Sequence, residues 1–327
     1  MADQTLRIGL IGCGGIAPTH LQCYQANERA KVVAVADLNE AAAAALAEKA
    51  GATPYADYRQ MLAKEQLDAV GLLTPPATHR ALAADVCDVG LHLFSEKPLA
   101  STADDARAMA DAAAAAGKLL LVAQCHRFHE PVRRAKAHIA AGDLGELSTY
   151  RNRFGYLAGK PDDRTRGRGG ILLDNGSHSS YLFRYLVGEV ASAFGWAPAD
   201  QLAQIEDLCV CTMLLQAENG IGGIVELDGA ATPCPNAIEV FGTAGSVTVD
   251  YGGGPSLFRP AQDDPVSLDD PSLSGSHRFQ REVDHFVACV LDGEQPEISA
   301  EEGVADLRVL EAAYKAMGTG HAEVVGS

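Results

Sequence analysis

Little in this chain points to a nucleic acid, a membrane or an oxidising compartment. Basic residues are scarce: 26 Lys and Arg stand against 43 Asp and Glu in 327 residues, a formal net charge of -17. A chain this acidic repels a phosphate backbone, so no nucleic-acid partner is expected, although a local cluster of cations can still hold a small anion. No run reaches the roughly 20 apolar residues of a membrane span, so no membrane association is expected. The opening Met1-Ala2-Asp3-Gln4 has no positive region, and Leu6 to Ile11 is too short for the apolar core of a signal peptide. The eight cysteines (Cys13, Cys23, Cys87, Cys125, Cys209, Cys211, Cys234, Cys289) include no CxxC pair. They read as buried thiols in a reducing cytoplasm rather than disulfides or a metal site. What is present is the 47% hydrophobic and 21% charged balance of a soluble globular protein, long enough for one large or two ordinary domains.

The first half alternates short β-rich runs with alanine-rich helical runs, the rhythm of a parallel sheet. Strands are expected at 6–11, 31–36, 52–54, 69–73, 91–95 and 119–123. Helices are expected at 17–25, 40–50, 58–63, 79–89 and 102–116. After Gln124 the rhythm changes. A helix at 131–141, a strand at 147–154 and a helix at 171–186 lead into strands at 191–196, 208–216, 221–227, 237–241 and 246–251. Glu218-Asn219-Gly220 and Thr243-Ala244-Gly245 suit hairpin turns, so these strands run antiparallel. The polar stretch 260–276 reads as a surface excursion, and helices at 278–291 and 300–317 close the chain. The fold class expected is α/β: an N-terminal Rossmann fold over residues 1–124, plus a C-terminal α+β domain over 125–327 with a large, mostly antiparallel open sheet. The sheet face without helices invites self-association into a homodimer or homotetramer.

Gly12-Cys13-Gly14-Gly15-Ile16-Ala17 follows an apolar strand and opens a helix. Glycines there allow a tight turn and let the backbone approach a pyrophosphate, which the free N–H groups of the helix N-terminus attract. Gly12, Gly14, Gly15 and Ile16 are therefore candidate cofactor residues. The next strand ends in Asp37. Its carboxylate either caps the following helix or accepts hydrogen bonds from ribose hydroxyls. It would repel a 2′-phosphate and no arginine neighbours it, which favours NAD over NADP. Ligands of open α/β sheets lie beyond the carboxyl ends of the strands. Two further strand ends, Thr74-Pro75-Pro76-Ala77-Thr78-His79 and Glu96-Lys97-Pro98, thus become candidates. Pro75 and Pro76 also read as a rigid turn, and His79 as a helix cap or surface residue. Lys97, between an apolar strand and a proline, is either held by a stiff backbone at this site or is a solvated lysine.

These motifs, together with Arg127-Phe128 and Gly169-Gly170-Ile171-Leu172-Leu173-Asp174-Asn175-Gly176-Ser177-His178, resemble the Gfo/Idh/MocA oxidoreductase family over nearly the whole chain. The resemblance implies a Rossmann domain, a second α+β domain often used for dimers or tetramers, and oxidation or reduction of a hydroxyl or ketone on a sugar or cyclitol. It implies a catalytic trio of Lys97, Asp174 and His178, and cofactor contacts from Gly12, Gly14, Gly15, Ile16, Asp37, Thr74, Pro75, Pro76, His79, Glu96, Lys97 and Arg127. The chemistry is consistent with the trio. A base must take the hydroxyl proton as hydride leaves, and His178 has an unperturbed pKa near operating pH. Asp174, four residues earlier on the same helix, shares its face and can orient substrate. Lys97 can stabilise charge on the reacting oxygen.

Two positions depart from the family pattern: His126 precedes Arg127 where an arginine is usual, and Tyr181 replaces an aspartate three residues after His178. The run Arg151, Arg153, Tyr156, Lys160, Arg164, Arg166, Arg168 is locally basic. It either lines a pocket for a carboxylate or phosphate, or is a solvated loop. Candidate substrate residues are Lys97, His126, Arg153, Tyr156, Arg166, Asp174, Asn175 and His178; Asp162 and Asp163 could also serve a neutral sugar. The expected activity is an NAD-dependent dehydrogenase acting on a sugar, sugar acid or cyclitol such as inositol. The alternatives are a redox-neutral sugar-modifying enzyme with tightly held NAD, an NADP-dependent sugar oxidoreductase, and a non-catalytic binding protein. No metal is expected.

Overall fold

Two sheets, one parallel and one mixed, organise the computed structural model, which describes residues 5–155, 169–229 and 236–326. In chain order the first half contains β1 (Leu6–Ile11), α1 (Ala17–Ala26), β2 (Ala30–Ala36), α2 (Glu40–Ala50), β3 (Thr53–Tyr55) and α3 (Tyr58–Lys64). It continues with β4 (Ala69–Leu72), α4 (Pro76–Asp88), β5 (His92–Glu96), α5 (Ala103–Ala115) and β6 (Leu120–Ala123). Then come a short 3-10 turn (Cys125–Phe128), α6 (Glu130–Ala141), β7 (Leu147–Gly155), α7 (Gly170–Leu186), β8 (Val190–Trp196), β9 (Val210–Ala217) and β10 (Gly222–Asp228). The last elements are β11 (Ala237–Gly242), β12 (Gly245–Asp250), β13 (Leu257–Pro260), β14 (Val266–Ser267), α8 (His277–Asp292), α9 (Ala300–Thr319) and β15 (Glu323–Val324).

Local chemistry explains most of these boundaries. Asn39 accepts from the backbone N–H groups of Ala41 and Ala42 to start α2, and Gly51 ends it with φ of 62°. Thr102 caps α5 in the same way through the N–H of Asp105. Helix α4 begins at Pro76, three residues before the expected His79, because a proline tolerates the first helical turn, where its missing N–H costs nothing.

Chain contacts divide the protein into two units: residues 1–125 with 276–304, and residues 126–275 with 305–327. The first differs from the expected 1–124 domain by recruiting 276–304 from the far end of the chain. Its six-stranded sheet has the order β3-β2-β1-β4-β5-β6, and every pairing is parallel. That order reverses between β1 and β4, which opens a crevice at their carboxyl ends. The core beneath joins Leu6, Ile8, Leu10, Phe94 and Leu121 to Val283, Phe286 and Val287 of α8. The Phe94 and Phe286 rings meet edge-on at 5.4 Å. An apolar helix face shows that something must cover it; only the packing shows that the cover is the Rossmann sheet.

The second unit is built on a nine-stranded sheet of order β14-β13-β12-β11-β7-β10-β9-β8-β15. Among the described residues its pairings are antiparallel except β7 with β10. The hairpins at 218–220 and 243–245 form as the turn residues imply. The polar stretch 260–276 lies mostly at the surface, as expected, and its Val266–Ser267 extends the sheet as β14 paired with β13. Helix α7 covers one face, touching β7, β9 and β10. Gly223 and Gly176 permit this approach: a Cβ on Gly223 would stand 2.6 Å from Phe183, and one on Gly176 3.2 Å from Leu227 of β10. A buried ion pair, Arg184 Nη1 to Asp306 Oδ1 at 2.9 Å, ties α7 to α9. On the opposite face Trp196, Leu214 and Ile224 are exposed. Leu214 and Ile224 are cross-strand partners, so they form a contiguous apolar strip.

Candidate active site

The glycine-rich turn leaves the carboxyl end of β1 between those of β2 and β4, where Gly12 N–H donates to Ala36 O and Leu73 N–H to Ile11 O. Gly12 has φ of 99°, and a Cβ there would lie 2.6 Å from Leu73 O, so both backbone shape and crowding demand glycine. Gly14 and Gly15 are the opposite case: a Cβ on either would meet nothing within 4 Å. Their backbone lies open to the approach of a phosphate. Ile16 is the residue preceding α1, so the turn runs directly into a helix N-terminus.

Asp37 is the second part of this site. Its Oδ2 accepts from Cys13 N–H at 2.7 Å and its Oδ1 from Asn39 N–H at 2.8 Å. Helix α2 is capped by Asn39, so the capping role proposed for Asp37 falls to its neighbour. The carboxylate instead joins the lining of a cleft of about 340 Å³, with Gly12, Leu38, Tyr58, Thr74 and Pro75. Leu38 is 94% exposed at its rim. Burial, reinforced by Asp37, pushes the adjacent Cys13 thiol up to about 12, so this sulfur stays protonated and unreactive. The cleft suits an adenosine: apolar walls, one carboxylate for ribose hydroxyls, and bare backbone at the phosphates.

Other expected cofactor contacts are differently employed. His79 is fully buried, with Nδ1 3.0 Å from Leu99 O and Nε2 2.8 Å from Thr74 O. Burial pulls its pKa down despite these carbonyls. It braces two strand-end loops rather than presenting a nitrogen to a ligand, because starting α4 at Pro76 turns His79 inward. Pro76 is likewise buried in the first turn of α4. Glu96 also turns inward, with Oε1 2.6 Å from His20 Nε2 and Oε2 accepting from Lys97 N–H at 3.1 Å. Burial raises its pKa, but the His20 bond, the charge attraction of His20 and Lys97 and the Lys97 N–H outweigh it, and the carboxyl stays below its ordinary range. Lys97 follows the last residue of β5 and is half-buried.

In the second unit α7 carries Asp174 and His178 one turn apart; Asp174 is buried, while Asn175 and His178 are half-buried. His178 meets the His126 ring edge-on at 4.4 Å between centroids. His126 Nδ1 is 2.8 Å from the Tyr251 hydroxyl. The His129 ring stacks on Tyr251 at 4.9 Å, and Phe154 approaches His126 at 5.4 Å. Of the expected pair Asp174 and His178, the histidine is thus met by His126. Tyr251, His129 and Phe154 join it without any local motif to announce them. Arg127 lays its guanidinium 3.9 Å above the Tyr185 ring, a cation–π contact within this unit. Arg153 does not join the cluster. Side chains alternate along a strand: Tyr150, Asn152 and Phe154 face α7, whereas Arg151 and Arg153 share the open face, where Arg151 pairs with Glu226 at 3.0 Å. Tyr156, Lys160, Asp162, Asp163, Arg164, Arg166 and Arg168 lie outside the described residues.

A reversed parallel sheet with a glycine-rich turn and a carboxylate at its switch point defines a dinucleotide-binding domain of oxidoreductase type. The chain belongs to the Gfo/Idh/MocA oxidoreductase family: residues 6–124 match its NAD-binding Rossmann fold and residues 132–248 its C-terminal domain. It is 28% identical to D-xylose 1-dehydrogenase (NADP(+)) 2 of Haloferax volcanii, over 97% of this chain and 99% of that one. It is 26% identical to myo-inositol 2-dehydrogenase of Thermotoga maritima, over 95% of this chain and 96% of that one. The WlbA dehydrogenase of Bordetella pertussis, solved in complex with NADH and UDP-GlcNAcA, superposes with a TM-score of 0.89 at 25% identity, covering 100% of this chain and 99% of that one. The chain is an oxidoreductase of a family that includes sugar and cyclitol dehydrogenases.

Proposed function

We propose that this protein is an NAD-dependent dehydrogenase that oxidises a secondary hydroxyl of a sugar, sugar derivative or cyclitol. The observation that carries the reading is the pairing of Asp174 and His178 on one turn of α7, with the His126 imidazole packed against His178. NAD is preferred because Asp37 puts a negative charge in the cleft where a 2′-phosphate would have to sit, with Leu38 beside it and no cation among the described residues that line it.

Gly12, Gly14, Gly15 and Ile16 would hold the pyrophosphate, Asp37 the ribose, and Thr74 and Pro75 the cleft wall. NAD, when bound, supplies the hydride acceptor. His178 takes the hydroxyl proton on a ring nitrogen as the C–H bond breaks. Asp174 and Asn175 orient the hydroxyls of the substrate. Lys97 Nζ donates a hydrogen bond to the reacting oxygen and offsets the negative charge growing on it. His126, held by Tyr251, completes the polar surroundings of His178. Self-association would use the exposed apolar strip of the nine-stranded sheet.

The test is a screen for reduced-nicotinamide absorbance with NAD and a panel of inositols, aldoses, sugar acids and nucleotide-sugars. Turnover on at least one alcohol, lost in Lys97→Ala and His178→Ala, is expected. No turnover across the panel, or full turnover in either variant, would sink the reading. Reduced cofactor that never leaves the protein would favour the redox-neutral alternative instead.

A further inference from the structure

Behind the Glu96-Lys97 pair lies a set of ionisable groups that catalysis by Lys97, Asp174 and His178 does not use. His20, in the first turns of α1, is wholly buried, yet it is not there for packing alone. Its ring is gripped edge-on by Phe94 at 5.2 Å and Phe279 at 6.2 Å. Its Nε2 donates to Glu96 Oε1 at 2.6 Å, while Nδ1 is buried with no hydrogen-bond partner among the described residues. A buried nitrogen without a hydrogen-bond partner carries its desolvation cost uncompensated. An apolar side chain would fill the space between the two phenylalanines without that cost.

A second carboxyl, Glu282 of α8, is also fully buried, and neither oxygen has a partner among the described residues. Burial and the charge on Glu96 drive its pKa far up, against the opposing pull of Arg278. Of two carboxyls coupled through a dry interior, the one without a hydrogen-bond partner is the one that stays protonated. Glu282 therefore stays neutral, and the single negative charge rests on Glu96. That charge is fixed at one oxygen by His20 and at the other by the Lys97 N–H. Besides Arg278 and Lys97, the ionisable groups coupled to Glu96 or Glu282 are Tyr24 and Cys23 of α1, Cys125 after β6 and His79 of α4; burial pushes the Cys23 thiol up to about 11 and the Cys125 thiol up to about 12, raises the Tyr24 hydroxyl and pulls His79 down. All four are neutral and leave the charge pattern unchanged.

We infer that His20 is a positioning residue for Lys97: by holding the Glu96 carboxylate, it fixes a buried negative charge directly behind the lysine and sets where its ammonium group stands. His20 lies one turn into the helix that starts at the glycine-rich loop, so the helix that receives the cofactor phosphates also steadies the lysine. This rests on the assignment of Lys97 as a catalytic residue, and the experiment separates the two.

His20→Ala, His20→Gln, Glu96→Gln and Lys97→Ala are compared with the wild type for kcat, KM and NAD dissociation constant, the last by fluorescence titration. The alcohol is the panel member that the wild type oxidises fastest. His20→Ala is expected to lower kcat at least ~10-fold, with KM and NAD affinity within twofold, because misplacing a catalytic group costs rate rather than ground-state binding. His20→Gln, whose amide can still donate to Glu96, should recover to within about threefold of the wild type. If His20→Ala does not melt cooperatively, Glu96→Gln carries the test: it removes the charge at constant volume and should lower kcat as much. A His20→Ala or Glu96→Gln enzyme within twofold of wild-type kcat overturns the inference. So does a His20→Gln enzyme as impaired as His20→Ala, or a loss of NAD affinity in parallel with kcat. If Lys97→Ala itself turns over normally, the lysine's role falls first. If only Lys97→Ala is impaired, the positioning role alone falls.

Discussion

The two units assemble their chemistry in opposite ways. In the first, the candidate site residues sit at neighbouring strand ends, Gly12 after β1, Asp37 after β2, Thr74 after β4 and Lys97 after β5. A parallel sheet brings every such end to one edge, so short sequence motifs and site geometry coincide. In the second, the cluster around His178 draws on α7, a 3-10 turn some fifty residues earlier and Tyr251 some seventy residues later. An antiparallel sheet imposes no common edge, and its contacts follow from topology. The lesson is that a missing residue in the first unit breaks a motif, whereas one in the second breaks a contact that no motif records.

That contrast can be broken or sharpened by mutation. The largest effect is expected from His178→Ala, with kcat reduced about 10²- to 10⁴-fold and NAD binding retained by titration; a tenfold smaller loss would deny it the base role. Next is Asp306→Ala, which removes the buried one of two carboxylates on Arg184 and leaves Nη1 without its acceptor, while Glu189 still holds Nε at 2.8 Å and Nη2 at 3.0 Å. A loss of about 1–3 kcal/mol in denaturant unfolding is expected. The exposed Arg80–Asp105 pair of the first unit, broken in the same way, should cost no more than about 1 kcal/mol. Asp37→Ala should weaken NAD binding about tenfold or more and narrow its advantage over NADP, as read by titration with both.

The smallest effect tests the buried acid. A carboxyl whose folded pKa lies above its unfolded value favours the folded state fully only below the unfolded pKa, near the ordinary glutamate range. That contribution is lost as pH rises through the folded value. Glu282, raised by burial, is therefore a liability at neutral pH. Glu282→Gln should raise the melting temperature by roughly 2 °C or more at pH 8 and by nothing at pH 4; an equal change at both pH values would contradict a neutral buried acid.

Much of the first unit was legible because its signals are local. Glycine spacing, Asp37 and the Glu-Lys-Pro triplet each depend on neighbours a few residues away. Misreadings arose where a side chain's direction mattered. His79 and Glu96 lie in the right loops but point inward. Arg153 is next to Phe154 in sequence and on the other face of the strand. The boundary at residue 124 missed the return of α8, whose Val283, Phe286 and Val287 complete the Rossmann core.

Taken by itself, the sequence determined the order and type of nearly every element, the dinucleotide turn, Asp37, Lys97 and the Asp174–His178 spacing, because propensity, capping and periodicity act over a few residues. Folding alone settles which sheet α8 covers, that Tyr251 holds His126, that β13 and β14 extend the second sheet, and that His20 bonds Glu96 while Glu282 is buried without a partner among the described residues. Those are contacts between residues far apart in the chain. They are fixed by which apolar faces bury one another and which polar groups can be paired once buried, and neither is written in any one segment.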